Sequence, residues 1–146
     1  MSKLPMLIWL MAGAAVHGFG GSGSAQGPEF KPCPDSPNCV SSLSSDPRHA
    51  VAPIAFKGSA SQARQKLLEV IRSMPRSRVV RDEGACLNVE YTSALFGFVD
   101  DVEFFIDDER HLVHVRSASR TGYWDLGANR KRVEEIRRML TEEPAP

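Results

Sequence analysis

The fold is decided by the stretch Cys86–Ser119, which reads CLNVEYTSALFGFVDDVEFFIDDERHLVHVRSAS. Apolar and polar residues alternate in three runs of this stretch, and a period of two is typical of strands that bury one face. In the run Asp101–Asp107, for example, Val102, Phe104 and Ile106 would face the core, and the residues between them would face away. The connections between the runs are short. The stretch therefore predicts three consecutive antiparallel strands, Cys86–Thr92, Asp101–Asp107 and His111–Ser119.

Two helices are predicted on either side of these strands. Ser59 and Gln62 fit a capping box, and a stripe of apolar residues follows it over 60–74. Pro75 ends this helix because it cannot continue the hydrogen-bond pattern. A second apolar seam predicts a final helix over Ala128–Leu140.

The remaining runs complete the order of elements. His49–Phe56 predicts a short strand at a sheet edge, since Pro53 interrupts it, and Ser77–Arg81 predicts another strand. The order is then β-α-β-β-β-β-α. This order predicts the α+β class, with a single curved antiparallel sheet of about five strands and two helices on one face. It is similar to the order in one half of the TATA-box-binding protein.

The composition and length argue against a nucleic-acid-binding protein and for a single domain. The chain has 146 residues, with 18 Lys and Arg against 18 Asp and Glu, so its formal net charge is zero. A nucleic-acid-binding protein needs a basic excess to meet phosphates, so we expect no nucleic-acid partner. The length fits one domain that is large enough to bury its own core.

The N-terminal residues have the pattern of an export signal. Lys3 precedes the uncharged run Leu4–Val16, and small residues lead to Ala25. We expect residues 1–25 to be a signal peptide, cleaved before Gln26, and the mature protein to be periplasmic or secreted. The alternative is an uncleaved segment that anchors the chain to the membrane. The apolar run is shorter than the roughly 20 residues of a membrane span, so after cleavage we expect no stable span.

Two of the three cysteines, Cys33 and Cys39, lie close together in the sequence CPDSPNC. The turn-forming residues between them, in an exported chain, predict a small disulfide loop. A redox pair or a zinc site would need CxxC spacing or further ligands. Cys86 is left as a free thiol. We therefore divide the chain into the signal peptide 1–25, a Pro/Ser-rich N-terminal loop 26–48 and an α+β domain 49–146.

The sheet face turned away from the helices carries a first candidate site. If Ile106 pairs with His111 across the turn, Asp101 faces Arg116 on this side of the sheet. Arg120 lies on the same side. Two interpretations stay open: these groups form charge pairs on a solvated surface, or the arginines hold a carboxylate or phosphate ligand.

A second candidate site lies in Val115–Arg132, where polar residues are dense and a strand turns into a helix. Ser117 and Ser119 fall on the core side of the strand, and Asp125 or Asn129 can cap the helix. A capped corner explains most of this composition. A serine hydrolase would need a histidine and a carboxylate that converge on the hydroxyl, and the sequence shows no such triad. We expect no metal site and no cofactor.

Three segments carry a family resemblance: CPDSPNCVSS at 33–42, LFGFVDDVEF at 95–104 and VRSASRTGYWDLGANRKRVEEIR at 115–137. In content and order they resemble the bacterial domain-of-unknown-function 1499 family. The resemblance implies an exported or membrane-associated protein, without an established activity, whose N-terminal loop folds over the strand-helix corner. The candidate ligand-binding residues are then Asn38, Ser41, Ser42, Asp101, Arg116, Ser117, Ser119, Arg120, Asp125, Asn129 and Arg130.

Together these patterns predict a non-catalytic binding module or a module associated with the cell envelope. Its partner would be a small anionic ligand or an envelope protein. The alternative is a hydrolase-type enzyme that uses the Asp/Arg/Ser corner. If Asp101 and Asp125 are both engaged by arginine or backbone partners, binding or structure is favoured, whereas a pocket carboxylate without an arginine partner favours catalysis.

Overall fold

The computed structural model describes residues 27–142, which form six strands and two helices. The predicted signal peptide and its cleavage site lie outside the described residues. The elements are β1 (Cys39–Ser41), β2 (Ile54–Ala55), α1 (Ala60–Ser73), β3 (Ser77–Glu83), β4 (Cys86–Thr92), β5 (Val99–Asp107), β6 (Leu112–Ser119) and α2 (Ala128–Thr141).

The strands form one open antiparallel sheet with the order β1-β6-β5-β4-β3. β2 also pairs with β6. β1 pairs with the C-terminal half of β6 and β2 pairs with its N-terminal half, so both short strands lie along the same edge. The predicted α+β class and the antiparallel pairing of consecutive strands are confirmed.

The core lies between the sheet and the two helices. Val102, Phe104 and Ile106 are buried there, as the alternation in the sequence predicts. The apolar stripes of the helices, including Leu67 and Ile136, belong to the same cluster of buried side chains. The other face of β3 to β6, which we call the outer face, is therefore left without helices.

The N-terminal part of the sheet differs from the prediction. Cys39–Ser41 falls in the segment predicted to be a loop, but its backbone extends the sheet at β6. The strand predicted at His49–Phe56 is reduced to Ile54–Ala55. Pro53 explains the reduction because it has no N–H for the ladder, and Ala50 makes only an isolated parallel bridge.

The predicted pairing of β5 with β6 is wrong. Ile106 pairs with Val113, and the last pair before the turn is Asp107 with Leu112. The Asp107 carboxylate accepts a hydrogen bond from the backbone N–H of Arg110 at 3.0 Å, which holds the turn. His111 therefore belongs to the turn, where it adopts φ +53°.

This register changes which charged residues meet on the outer face. Arg116 faces Glu103, whereas Asp101 faces Ala118. The predicted pair of Asp101 with Arg116 therefore does not form. The prediction failed because it placed the turn one residue too early in the chain, with His111 in the strand instead of in the turn.

The disulfide prediction is confirmed: Cys33 and Cys39 are joined, and Cys86 is free. Cys86 lies on the outer face, opposite in direction to the buried Leu87. Over residues 27–142 neither helix has the length and apolar character needed to cross a membrane.

Candidate functional site

The polar groups at the point where β6 leads into α2 form a largely buried cluster. We call it the polar corner, and it consists of Asn38, Asp100, Ser117, Ser119, Asp125, Asn129 and Arg132. Asn129 is fully buried at its centre. The Asn129 side-chain oxygen accepts from Ser117 Oγ at 2.6 Å and from Arg132 at 2.9 Å. Its Nδ2 donates to the Asn38 carbonyl at 3.1 Å and to Ser119 Oγ at 2.9 Å, so the whole amide is used inside the protein.

An ion pair completes the polar corner. Arg132 donates to the Asp100 carboxylate at 2.6 Å, and the two side chains are only 14% and 10% exposed. The Arg132 guanidinium also lies 4.7 Å from the centre of the Tyr91 ring. Burial raises the pKa of Tyr91 to about 12, so this ring stays neutral beside the cation.

Backbone bonds tie neighbouring segments to the polar corner. The Asp125 carboxylate accepts from the backbone N–H of Gly127, the N-cap residue, at 2.8 Å and of Asn129 at 3.0 Å, so Asp125 satisfies an N–H of the first turn of α2. The Asn38 carbonyl accepts from the Ser119 N–H at 3.0 Å, which brings the N-terminal segment onto the corner. These contacts give the corner a structural role.

Asp101 and Arg120 lie on the outer face and bind each other. Arg120 donates to the two Asp101 carboxylate oxygens at 2.8 and 2.7 Å, and also to Glu90. The hydrogen bonds from Arg120 and Arg78 lower the pKa of Glu90, so Glu90 is charged at neutral pH. The Arg120 guanidinium is thus shared between two carboxylates of the same sheet.

Arg116 is less completely paired. One of its terminal nitrogens donates to Glu103 at 3.0 Å, and the Arg116 side chain is only 12% exposed. Its Nε is buried and has no hydrogen-bond partner among residues 27–142. A guanidinium offers five N–H groups. Arg116 uses fewer of them in hydrogen bonds than Arg120 does.

A serine, a histidine and an aspartate meet at the edge of the outer face. Ser42 Oγ lies 3.3 Å from His114 Nδ1, and His114 Nε2 lies 3.8 Å from the Asp107 carboxylate. Burial lowers the pKa of His114, so its ring is neutral at pH 7.

Two distances argue against a catalytic triad at Ser42. The separation of 3.8 Å between His114 and Asp107 is longer than a hydrogen bond. Ser42 Oγ already accepts from the Val115 N–H at 2.9 Å, so it extends the ladder of β6. Sequence reasoning missed this cluster because Ser42 and His114 are 72 positions apart and no local pattern connects them.

Ser41 and Arg130 hold the chain that follows β1. Ser41 Oγ accepts from the backbone N–H of Leu43 at 3.2 Å. Arg130 donates to the carbonyls of Ala50 at 2.8 Å and Arg48 at 3.0 Å. Both side chains therefore stabilise local backbone.

An exposed apolar surface lies at one end of the sheet. Of the eight large apolar side chains exposed within residues 27–142, six belong to the β4–β5 and β6–α2 turns. These turns are adjacent, since the Arg120 N–H donates to the Val99 carbonyl at 3.0 Å. We call this surface the aromatic end, and it consists of Leu95, Phe96, Phe98, Tyr123, Trp124 and Leu126. Sequence reasoning missed it, although TSALFGF and TGYWDLG place apolar residues where turns usually carry polar ones.

The turns hold these apolar side chains outward. The Ser93 N–H donates to the Phe98 carbonyl at 2.8 Å, and Ser93 Oγ accepts from the Phe98 N–H at 2.9 Å. The Phe96 and Phe98 rings stack at 5.6 Å. Leu126 adopts φ +53°, which costs an L-residue about 1 kcal/mol, yet its side chain is 87% exposed. Among residues 27–142, this backbone strain is not accompanied by burial of Leu126.

The family comparison covers almost the whole of this architecture. The sequence model of a protein family of unknown function, DUF1499, matches residues 29–140. The chain belongs to the DUF1499 family. The polar corner and the aromatic end of this DUF1499 domain both lie within the matched residues. A comparison with curated proteins finds no match.

The candidate residues of the DUF1499 domain fall into three groups. The polar corner holds Asn38, Ser117, Ser119, Asp125 and Asn129; the outer face holds Asp101, Arg116 and Arg120; the edge beside β1 holds Ser41, Ser42 and Arg130. In the part of the chain that the structure describes, no three His, Cys, Asp or Glu side chains are arranged to hold a metal ion.

Proposed function

We propose that this protein is an exported, non-catalytic binding domain of the cell envelope, and that its aromatic end attaches to the surface of a lipid membrane. The clustering of exposed apolar side chains at one end of the sheet carries the proposal. Trp124 and Leu126 are 72% and 87% exposed. Contiguous exposed apolar patches are rare in soluble monomers and mark contacts with proteins or membranes.

The chemistry of the aromatic end favours a lipid surface. Trp and Tyr side chains are enriched at the membrane-water interface, where their rings meet apolar chains and their polar atoms meet water. One arginine, Arg76, lies beside the β4–β5 turn and donates to the Thr92 carbonyl at 3.1 Å. An arginine in this position can meet anionic headgroups.

The N-terminal segment supports export. The apolar run Leu4–Val16 is typical of a signal or anchor segment. The disulfide of Cys33 with Cys39 is typical of an oxidising compartment. The segment enters β1 beside the aromatic end, where Asn38 Nδ2 donates to the Gly122 carbonyl.

The paired carboxylates support binding rather than catalysis. Arg120 binds Asp101, and backbone N–H groups of α2 bind Asp125. Neither carboxylate has the unpaired state that a general base in the Asp/Arg/Ser corner would need. The hydrolase alternative therefore loses its two best candidates.

Flotation with lipid vesicles tests the proposal. The chain from Gln26 onward, mixed with vesicles of phosphatidylethanolamine and phosphatidylglycerol, should float with the lipid. The variants Phe96→Ser and Trp124→Ser should each reduce partitioning by about tenfold, because each removes a large apolar side chain from the contact. The matched controls Leu43→Ser and Val80→Ser, exposed apolar residues elsewhere, should float like the wild type. A wild type that stays with the buffer would contradict attachment to lipid.

A second candidate function is the binding of a small anion at Arg116. The buried, unpartnered Nε of Arg116 favours it, because buried N–H groups normally have partners. Titration with inorganic phosphate should then give saturable heat that Arg116→Gln removes. Arg81→Gln, which changes an exposed arginine paired with Glu83, is the control. Equal heats for the wild type and Arg116→Gln would exclude this site.

A further inference from the structure

A cavity of about 590 Å³ lies at the end of β6 opposite to the aromatic end. It opens between β2, α1 and the C-terminal end of α2. Its walls are mostly apolar and include Ile54, Phe56, Ala63, Val113 and Leu140. Cavities of this size and character are typical of sites for small organic ligands.

The charged side chains that line this cavity are both lysines, Lys57 and Lys66. Lys66 Nζ donates to the backbone carbonyl of Glu142 at 3.1 Å. The Glu142 carboxylate is bound instead by Arg138, at 2.8 Å. The lysine charges at the cavity are therefore not neutralised by this neighbouring acid.

We propose that this cavity binds a single-chain amphiphile with a carboxylate head, such as a fatty acid. The acyl chain would lie against Ile54, Ala63 and Val113, where each methylene that is removed from water favours binding. The carboxylate would meet Lys57 and Lys66. This inference does not depend on the aromatic end, because the two surfaces lie at opposite ends of the sheet and share no residue.

The last residues of the chain are the rival occupant of the cavity. Residues 143–146, with the sequence EPAP, follow Glu142, and Leu140 and Thr141 already line the cavity. A chain that ends at Glu142 distinguishes the two occupants. If the tail fills the cavity, its removal is required for binding; if a fatty acid fills it, the full chain binds as well as the shortened one.

The binding of cis-parinaric acid, a fluorescent fatty acid, to the full chain tests the proposal. The full chain should give saturable enhancement of the probe fluorescence. Ala63→Phe fills the cavity and should weaken binding by about tenfold or more. Ala55→Phe fills it from the exposed edge strand and serves the same purpose if Ala63→Phe does not fold. All variants carry the same residues 1–26, so any binding by this segment is common to all of them.

A charge reversal tests the head group. Lys66→Glu should weaken binding of the acid by about fivefold or more, but leave binding of its methyl ester unchanged. Lys131→Glu, the same change on α2 outside the cavity, should leave both unchanged. Failure of the full chain to bind, equal binding by the wild type and both phenylalanine variants, or binding only after removal of residues 143–146 would each overturn the proposal.

Discussion

The polar corner and the aromatic end are neighbours in the sequence, yet they use their side chains in opposite ways. Asn129 is fully buried, and every group of its amide is hydrogen-bonded within the chain. Trp124, in the turn just before α2, is 72% exposed, and its ring lies 5.2 Å from the Tyr123 ring. A fully buried side chain in the first turn of α2 and a largely exposed one in the preceding turn are thus close neighbours along the chain.

This contrast indicates that the polar corner stabilises the fold, whereas the aromatic end is available for binding. The polar residues that the sequence suggests as catalytic or ligand-binding groups, such as Ser117 and Asp125, join β6, α2 and the N-terminal segment. The groups that look like ordinary core residues, such as Phe96 and Trp124, face solvent. Substitutions in the polar corner should therefore change the free energy of unfolding, and substitutions at the aromatic end should change binding.

The largest loss of stability is expected at Asn129. Asn129→Ala leaves Ser117, Ser119 and Arg132 without a common partner in a buried site, so the free energy of unfolding should fall by about 3 kcal/mol. Urea unfolding measures it. Asn88→Ala on the outer face is the control and should cost less than about 0.5 kcal/mol. Equal losses for the two variants would break the contrast between buried and exposed polar groups.

A loss of the same size is expected for the buried ion pair of the polar corner. Asp100→Asn and Arg132→Gln should each cost about 3 kcal/mol, because each leaves its partner buried and unpaired. The double variant should lose clearly less than the sum of the two. The exposed pair Glu135 with Arg138 on α2 is the control and should show no resolvable coupling. Additive losses at Asp100 and Arg132 would mean that their contact does not stabilise the corner.

The sequence predicts most of the fold because the core depends on local periodicity. Residues close together in the sequence determine the alternation that buries Val102 and Phe104. The same holds for the capping box of Ser59 with Gln62. The charge pairs on the outer face are harder to predict, since the position of the β5–β6 turn decides which residues of the two strands face each other. The left-handed conformation of His111 shifts β5 against β6 and exchanges the partner of Arg116.

The candidate site is only partly predictable for a related reason. The sequence offered Asp125 or Asn129 as the helix cap and placed Ser117 under the helices, because both depend on local geometry. The structure has Gly127 at the N-cap, and Asp125 accepts from the first turn of α2. Only the family resemblance brought the N-terminal loop to this corner; no local pattern connects Asn38 with Asn129, 91 positions away. The sequence also placed no strand at Cys39–Ser41, since three residues in a proline-rich segment carry too little pattern.

A smaller effect is expected on the outer face, where a double-mutant cycle tests the corrected register. Glu103→Gln with Arg116→Gln should give a coupling of about 1 kcal/mol, because the pair is half-buried. The cycle of Asp101→Asn with Arg116→Gln should give none, since the two residues do not pair. Stronger coupling of Arg116 to Asp101 than to Glu103 would contradict the register.

The smallest effect is a pH dependence at His114. Burial lowers the pKa of His114 below its ordinary value of 6.5, with Arg110 acting in the same direction and Asp107 against it. The unfolded chain then binds the proton more tightly, so stability falls as the pH drops from about 6.5 to the folded pKa. His114→Gln should flatten this fall in urea unfolding between pH 7 and pH 5. An unchanged slope would show that His114 contributes nothing to it.

The emission of Trp124 tests the account's central claim most directly, namely that the aromatic end binds a lipid surface. The chain has two tryptophans, and Trp9 lies in the predicted signal peptide, so the chain from Gln26 onward has Trp124 as its single tryptophan. Vesicles of phosphatidylethanolamine and phosphatidylglycerol should shift its emission to shorter wavelength, and brominated lipid should quench it. An emission that stays at its value in water, with no quenching at saturating lipid, would contradict the account.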